Sequence, residues 1–252
     1  MLKYMPMRSA VIALSGLLAL ATVASSQISE ADAPALMQDL AKRNQVWSPK
    51  LNSPGVSVRL REVERSSPKI WYEMEATGFP PGLKYTIVTW PDNQLKPQTG
   101  MTNLWLDTSG RVVCPNGPIR LQFSPVKSEP VRLALVSDDD KHLRAVVNFV
   151  PIPNRAVDKS CSVEIVMLAP NSSLVAIDGT GFKPNASVTF LSESEGEHHD
   201  GQIKADADGN LYFAMGEGVK GKEKGTTKIN VVSPECSVSL SSRWGKDSYE
   251  YQ

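Results

Sequence analysis

Hydrophobic and polar residues alternate along much of the chain after residue 56. The segment 70–77 (IWYEMEAT) shows the pattern most clearly, because Ile70, Tyr72 and Met74 alternate with Trp71 and with acidic residues. A period of two places one set of side chains on each face of a β-strand. The segment therefore predicts a strand with one buried face and one polar face.

Similar segments recur along the chain, and turns rich in Gly, Pro, Asn, Asp and Ser separate them. Such punctuation is typical of short antiparallel strands. Further strands are predicted at residues 56–64, 83–90, 101–106, 111–114, 119–124, 131–136 and 143–150. Short strands at this density, without long helices between them, predict an all-β protein of the sandwich class.

The chain contains an internal repeat of about 100 residues. Residues 76–89 (ATGFPPGLKYTIVT) and 179–192 (GTGFKPNASVTFLS) are identical at five of fourteen positions. Later segments match in the same order, residues 106–110 with 205–209 and residues 131–137 with 227–233. A repeat of this size equals a whole small domain. We therefore predict two domains, at residues 54–153 and 158–244, joined near residues 153–159.

Residues 175–190 (VAIDGTGFKPNASVTF) resemble the opening of IPT/TIG-type and related bacterial immunoglobulin-like domains, which have a strand, a Gly-x-Gly-Phe turn and a strand carrying Val-x-Phe. Residues 205–213 (ADADGNLYF) resemble a hairpin of bacterial surface repeats. The first copy departs from the pattern at Ala76 and Ser109. The resemblance implies two tandem immunoglobulin-like β-sandwiches that act as spacer, adhesion or accessory modules. In each copy Gly78 or Gly181 is predicted to take a positive φ, and Phe79 or Phe182 to plug the sandwich.

The first 26 residues have the pattern of a secretory signal peptide. Lys3 and Arg8 give a positive start, residues 9–23 are uncharged and mostly apolar, and small residues follow. The apolar stretch is shorter than the ~20 residues that a membrane-spanning helix needs. The mature protein is therefore predicted to be secreted or periplasmic, with no membrane span.

Residues 27–53 are predicted to hold a short amphipathic helix and a linker. Asp32 can cap the helix, and Pro34 is tolerated in its first turn. One apolar stripe follows the helix and consists of Ala33, Leu36, Met37, Leu40 and Ala41. Because a helix this short is marginal alone in water, we expect the stripe to dock on another surface. Residues 245–252 are predicted to be a polar tail.

Export determines how the three cysteines are interpreted. In an oxidising compartment they can form at most one intramolecular disulfide. Cys161 opens the first predicted strand of the second copy and Cys236 opens its last. In an immunoglobulin-like sandwich these two starts can lie close together, so a Cys161–Cys236 bond is predicted, with free thiols or an intermolecular bond as alternatives. Cys114 is predicted to be a buried, inert thiol.

Residues 192–200 (SESEGEHHD) concentrate acidic and histidine side chains in one predicted loop. Imidazole and carboxylate groups bind zinc, copper or nickel, which makes His198, His199 and Asp200 a candidate metal site. Adjacent histidines point apart on a strand, however, and the spacing differs from that of ordered zinc sites. A solvated acidic hairpin is the favoured interpretation.

Two other acidic clusters are predicted to be turns. Residues 206–210 (DADGN) resemble half of a calcium loop, but hydrophobic strand residues follow at once and Asp-Gly is a common hairpin turn. Residues 138–140 (DDD) are predicted to be the charged tip of the last hairpin of the first copy. No cofactor is predicted.

Three tryptophans mark a candidate ligand-binding surface. Trp71 lies on the polar face of its predicted strand, and alternation places Trp90 and Trp105 on the outer sides of theirs. Exposed aromatic rings beside acidic groups suit sugar rings or a protein partner. The favoured interpretation is that the N-terminal helix or the second copy covers them, because the helix needs a docking surface.

Charge and motifs limit the functional classes. The chain has 27 Lys+Arg and 27 Asp+Glu, which gives none of the basic excess of a nucleic-acid-binding protein. The sequence has no G-x-S-x-G or H-E-x-x-H motif. We therefore predict a secreted, non-catalytic interaction or scaffold protein with an unknown protein or glycan partner. The alternatives are a carbohydrate-binding protein that uses the three tryptophans and a metal-dependent hydrolase.

Overall fold

A computed structural model of the chain describes residues 49–90 and 98–249. The predicted signal peptide and the predicted helix at residues 32–41 lie outside these residues. Both remain predictions.

β-Strands form nearly all of the regular structure that is described. The N-terminal half contains β1 (Ser57–Ser66), β2 (Lys69–Thr77), β3 (Tyr85–Thr89), β4 (Gln98–Thr99), β5 (Trp105–Leu106), β6 (Val112–Cys114), β7 (Gly117–Pro118), β8 (Leu121–Phe123), β9 (Val131–Ser137) and β10 (Arg144–Phe149). The C-terminal half contains β11 (Asn154–Asp158), β12 (Cys161–Met167), β13 (Leu174–Thr180), β14 (Ser187–Ser194), β15 (Glu197–Lys204), β16 (Leu211–Gly216), β17 (Lys224–Val232) and β18 (Ser237–Gly245). Short 3-10 helices span Pro49–Leu51, Pro170–Ser172 and Lys246–Tyr249. The all-β prediction is confirmed.

The two halves share one order of strands. The N-terminal half has sheets β1-β2-β8 and β10-β9-β3-β4, with a small sheet β5-β6-β7 beside them. The C-terminal half has sheets β11-β12-β13-β16 and β15-β14-β17-β18. If β12, β13 and β16 are matched with β1, β2 and β8, the remaining four strands also correspond in order. Neighbouring strands are antiparallel throughout these sheets.

Each half has its own large hydrophobic cluster. The cluster of the N-terminal half lies within residues 56–147 and includes Met74, Tyr85 and Leu135, which are fully buried. The cluster of the C-terminal half lies within residues 156–240 and draws side chains from both of its sheets. Burial of such side chains contributes about 1.5–3 kcal/mol each, so each half contains the main source of its own stability.

The Gly-Phe turn has the same geometry in both halves. Gly78 and Gly181 have φ values of 78° and 79°, a region that favours glycine. A Cβ atom at either position would lie 1.9 Å from a backbone oxygen, of Gly55 in the first case and of Ser160 in the second. Phe79 and Phe182 follow and are buried in the two clusters. The prediction made for these turns is confirmed.

A second turn is also repeated. In the N-terminal half Oδ1 of Asp107 accepts hydrogen bonds from the backbone N–H groups of Ser109 (2.9 Å) and Arg111 (3.0 Å). In the C-terminal half Oδ1 of Asp206 accepts equivalent bonds from residues 208 (2.9 Å) and 210 (2.8 Å). The hydroxyl of Ser109 also donates to Oδ1 of Asp107. This bond is the largest cause, together with the two backbone bonds, of the lowering of the Asp107 pKa to about 2. Both carboxylates therefore stabilise turns, as predicted for residues 206–210.

The structure shows the predicted disulfide. Cys161 and Cys236 are bonded, with their Cα atoms 6.2 Å apart. Cys161 begins β12, whereas Cys236 lies one residue before β18. The bond closes a loop of 75 residues in sequence and joins the beginnings of two strands in different sheets.

Three local predictions differ from the structure. Residues 192–200 form a hairpin as predicted, but the loop is only a two-residue turn at Glu195 and Gly196, which have positive φ values, and the other residues lie in the facing ends of β14 and β15. The predicted joint near residues 153–159 holds β11, which pairs with β12. The strand predicted at residues 101–106 is limited to β5.

Candidate functional site

The outer face of β2 carries Trp71, Glu73 and Glu75, because the alternate residues Tyr72 and Met74 are buried. Side chains on one face of a strand recur every second residue. Trp71 is half-buried, and Glu73 is largely buried although it lies on the outer face. An aromatic ring and two carboxylates therefore share one strand face.

Two arginines of β1 lie opposite these carboxylates. The antiparallel register pairs Arg59 with Glu75 and Arg61 with Glu73. Nη2 of Arg59 lies 2.5 Å from Oε2 of Glu75, and Nη2 of Arg61 lies 2.6 Å from Oε2 of Glu73. Nε of Arg61 also donates to Oε1 of Glu75 at 3.0 Å. These hydrogen bonds, first that from Arg59, hold the pKa of Glu75 below its ordinary value.

The face continues from β2 onto β6 and β5. Arg111 forms a β-bridge with Glu75, and Trp105 lies opposite Val113 in the β5–β6 pair. Paired residues on neighbouring strands point to the same side, and so do residues two apart on one strand. Arg111 and Val113 therefore place Glu75 and Trp105 on one side. Trp105 is 37% exposed. We name this surface the tryptophan face and define it by Arg59, Arg61, Trp71, Glu73, Glu75, Trp105, Arg111 and Val113.

The tryptophan face can bind flat and anionic groups. Its carboxylates already accept hydrogen bonds from arginine, whereas the side chains of Arg59 and Arg61 are 79% and 51% exposed. The ion pairs that Glu75 makes are exposed, and such pairs contribute only about 0–1 kcal/mol each to stability. Guanidinium groups donate in a planar fork that matches carboxylates, and aromatic rings stack on flat ligands. The guanidinium groups of Arg59 and Arg61 and the ring of Trp105 are therefore accessible to a ligand.

Trp90 does not belong to this face. It follows β3, in the sheet β10-β9-β3-β4, and packs near Ala134 and Val146. Alternation along β3 does place Trp90 on the outer side of its sheet. That sheet is a different one, however. Trp71 and Trp105 therefore lie on the tryptophan face, and Trp90 lies on another surface. The alternating arginines in residues 57–65 (SVRLREVER) are the sequence signal that we missed.

The candidate metal ligands lie on β15. His198 is paired with Glu193, His199 with Ser192 and Asp200 with Leu191. Because neighbours on a strand face opposite sides, His198 and Asp200 share one side and His199 points to the other. Nε2 of His199 lies 3.8 Å from Oε2 of Glu197. Within residues 49–90 and 98–249, no group of three or more His, Cys, Asp or Glu side chains is placed to hold a metal ion.

The C-terminal half contains a buried polar cluster that sequence patterns did not reveal. Glu217, directly after β16, is only 1% exposed, and its carboxyl group accepts a hydrogen bond from the hydroxyl of Ser242. Its Oε2 atom has no hydrogen-bond partner among the described residues. Ser194 donates to the backbone oxygen of Glu217 at 2.9 Å, and Trp244 Nε1 and Thr227 Oγ1 each donate to Ser194 at 3.0 Å. Burial raises the pKa of Glu217 to about 7, against the lowering effect of Ser242.

Cys114 carries the free thiol of the described chain. It ends β6 and is half-buried against the hydrophobic cluster of the N-terminal half. In the described ranges, no helix is both long enough and apolar enough to cross a membrane.

No protein-family model matches the chain, and no curated protein matches it. Among solved structures it is similar to a 1.5-MDa bacterial ice-binding adhesin, with 10% identity, 75% of this chain and 63% of that chain covered, and a TM-score of 0.24. It is similar to a Ca2+-stabilized, ice-binding adhesin of an Antarctic bacterium, with 13% identity, coverage of 77% and 49%, and a TM-score of 0.22. It is also similar to the human OSCAR ligand-binding domain, with 12% identity, coverage of 76% and 96%, and a TM-score of 0.24.

Proposed function

We propose that the protein is a secreted or periplasmic, non-catalytic interaction protein built of two tandem immunoglobulin-like sandwiches. The tryptophan face is its binding surface. The observation that carries this proposal is the placement of Trp71 and Trp105 on one face beside the outward-pointing guanidinium groups of Arg59 and Arg61.

The shared strand order supports the tandem architecture. An immunoglobulin-like sandwich places strands A, B and E in one sheet and strands G, F and C in the other. In the C-terminal half β12, β13 and β16 take the first set of positions, and β18, β17 and β14 take the second. The equivalent strands of the N-terminal half have the same order. The repeated glycine and aspartate turns support one ancestral unit for both halves.

The disulfide supports export. Disulfides such as Cys161–Cys236 persist in oxidising compartments, which include the periplasm and the cell exterior, and are rare in the cytosol. The signal-peptide pattern of residues 1–26 predicts the same destination.

Arginine and tryptophan are enriched where proteins bind one another, and they supply most of the binding energy at many interfaces. A protein partner with acidic and aromatic groups fits the tryptophan face, because the carboxylates of the face are already engaged by Arg59 and Arg61. The alternative is a carbohydrate-binding module that stacks sugar rings on Trp71 and Trp105. The half-exposure of both rings favours it as the second candidate.

A capture experiment from the native secreted or periplasmic fraction tests the proposal. The mature chain should retain a defined partner that the Trp71→Ala/Trp105→Ala variant loses. The control is Tyr212→Ala, which removes a 44% exposed aromatic ring from the C-terminal half and should retain the partner. Equal capture by all three proteins would refute the binding role of the face. Tryptophan fluorescence with a glycan panel separates the alternatives, because quenching that the double variant abolishes would favour a glycan ligand.

A further inference from the structure

The middle of the outer face of the sheet β10-β9-β3 is apolar in the N-terminal half, whereas Thr86, Arg132, Arg144 and Asn148 lie toward the two ends of the same face. Leu133 and Leu135 of β9 point into the hydrophobic cluster, so Ala134 between them points outward. Its neighbours on the outer side form a separate cluster. We name this surface the apolar outer face and define it by Val88, Trp90, Ala134, Val136 and Val146.

The equivalent surface is more polar and more exposed in the C-terminal half. The repeat matches Ala134 with Asn230, Val88 with Leu191 and Trp90 with Glu193. Leu191 is 44% exposed, and Glu193 is exposed as well. By contrast, Ala134 is 1% exposed and Val146 is 2% exposed. Two copies of one fold therefore differ most clearly in whether this outer face is covered.

The described chain begins beside the apolar outer face. The backbone N–H of Ser53 donates to the oxygen of Arg144 at 2.8 Å, and the Ser53 hydroxyl accepts from the N–H of Arg144 at 3.0 Å. Oδ1 of Asn52 accepts from the N–H of Val146 at 2.8 Å. These bonds fix residues 52 and 53 along the edge of β10. The segment that precedes Pro49 therefore starts at the edge of this face.

We propose that residues 33–41 dock as a helix on the apolar outer face of the same chain. The stripe of Leu36, Met37 and Leu40 supplies apolar side chains that a nine-residue helix cannot shield alone. Such a helix is about 14 Å long, and three strands are about 10–14 Å wide. The seven residues 42–48 reach up to about 25 Å, which is enough to connect the helix to Pro49.

A tethered segment also has an advantage over a second molecule. A short flexible linker gives an effective concentration in the millimolar range, far above that of a second copy in dilute solution. Docking of this segment covers Trp90 and leaves Trp71 and Trp105 for ligands. The inference is independent of the proposed binding function, because it rests on a different sheet.

Hydroxyl-radical footprinting of the mature chain tests the docking. The variant Leu36→Asp/Leu40→Asp should show a severalfold faster oxidation of Trp90, localised by tandem mass spectrometry, whereas Trp71 should be oxidised at the wild-type rate. The control Ala35→Asp/Gln38→Asp adds the same charge on the opposite side of the helix and should leave Trp90 protected. Equal oxidation of Trp90 in the wild type and the first variant would overturn the proposal. Protection of Trp90 that disappears on dilution would also overturn it, in favour of a second copy.

A disulfide trap gives a second readout. In a Cys114→Ser background, Val136→Cys combined with one of Leu36→Cys, Met37→Cys or Leu40→Cys should form an intramolecular bond under mild oxidation, which intact mass with and without reductant detects. The pair Gln38→Cys/Val136→Cys should remain largely unbonded. Failure of all three pairs from the stripe to bond, or equal bonding of the Gln38 pair, would contradict the docking of this stripe.

Discussion

Replacing Glu217 with glutamine removes a carboxyl group that the fold holds almost completely out of water. Burial raises the pKa of Glu217 from 4.5 to about 7. The unfolded chain loses this proton near pH 4.5, whereas the folded chain keeps it until about pH 7. The contribution of Glu217 is therefore most favourable below pH 4.5 and falls as the pH rises to about 7.

The magnitude follows from the difference between the two pKa values. A difference of about 2.5 corresponds to about 3 kcal/mol of unfolding free energy lost between pH 4 and pH 8. Glutamine keeps an oxygen that can accept from Ser242 and does not ionise. The difference in unfolding free energy between Glu217→Gln and the wild type should therefore shift by about 3 kcal/mol in favour of the variant when the pH rises from 4 to 8.

Urea unfolding at intervals from pH 4 to pH 8 measures this difference. The control is Glu235→Gln, which changes an exposed carboxyl group of the same half. Ser242→Ala should steepen the loss of stability with pH, because the carboxylate then lacks its hydrogen-bond donor. The reasoning is refuted if the wild type and Glu217→Gln keep a constant difference in stability across the whole range.

Three further predictions concern other parts of the fold, each measured by urea unfolding. Loss of the Cys161–Cys236 bond in the double alanine variant should cost the C-terminal half about 4 kcal/mol, and an unchanged midpoint would contradict this. Gly82→Ala should cost about 1–2 kcal/mol, because Gly82 has a positive φ but open space around it. Gly181→Ala should cost far more, because Gly181 has a similar φ and its new Cβ would also clash with the backbone oxygen of Ser160. Asp107→Ala should cost about 1 kcal/mol at pH 7. Because the pKa of Asp107 is lowered to about 2, the wild type should lose the same contribution as the pH falls from about 4 to about 2.

Local patterns in the sequence predict much of the fold. Alternation identifies β2, and the Gly-Phe turns are predictable because only glycine tolerates both a positive φ and a backbone oxygen close to its Cα. The Cys161–Cys236 bond follows from the strand order of the implied sandwich. A hairpin was predicted at residues 192–200, but its two-residue turn was not, because five acidic or histidine residues around Glu195 and Gly196 look like a longer solvated loop.

The candidate sites are harder to predict because they depend on contacts between distant strands. The arginines of β1 reach Glu73 and Glu75 only through the register of the β1–β2 pair. The association of Trp105 with Trp71 depends on the β-bridge between Glu75 and Arg111. Burial of Glu217 needs β14, β17 and β18 to converge on a residue outside any strand. A strand pattern read along one segment contains none of this information.

Hydrogen exchange before and after reduction of the disulfide most directly tests the claim that each half maintains its own hydrophobic interior. The Cys161–Cys236 bond lies wholly within the C-terminal half. After reduction, amide exchange should accelerate in peptides from β12 to β18 and stay unchanged in peptides from β1 to β10. An equal acceleration in both groups of peptides would show one shared cooperative unit and contradict the account.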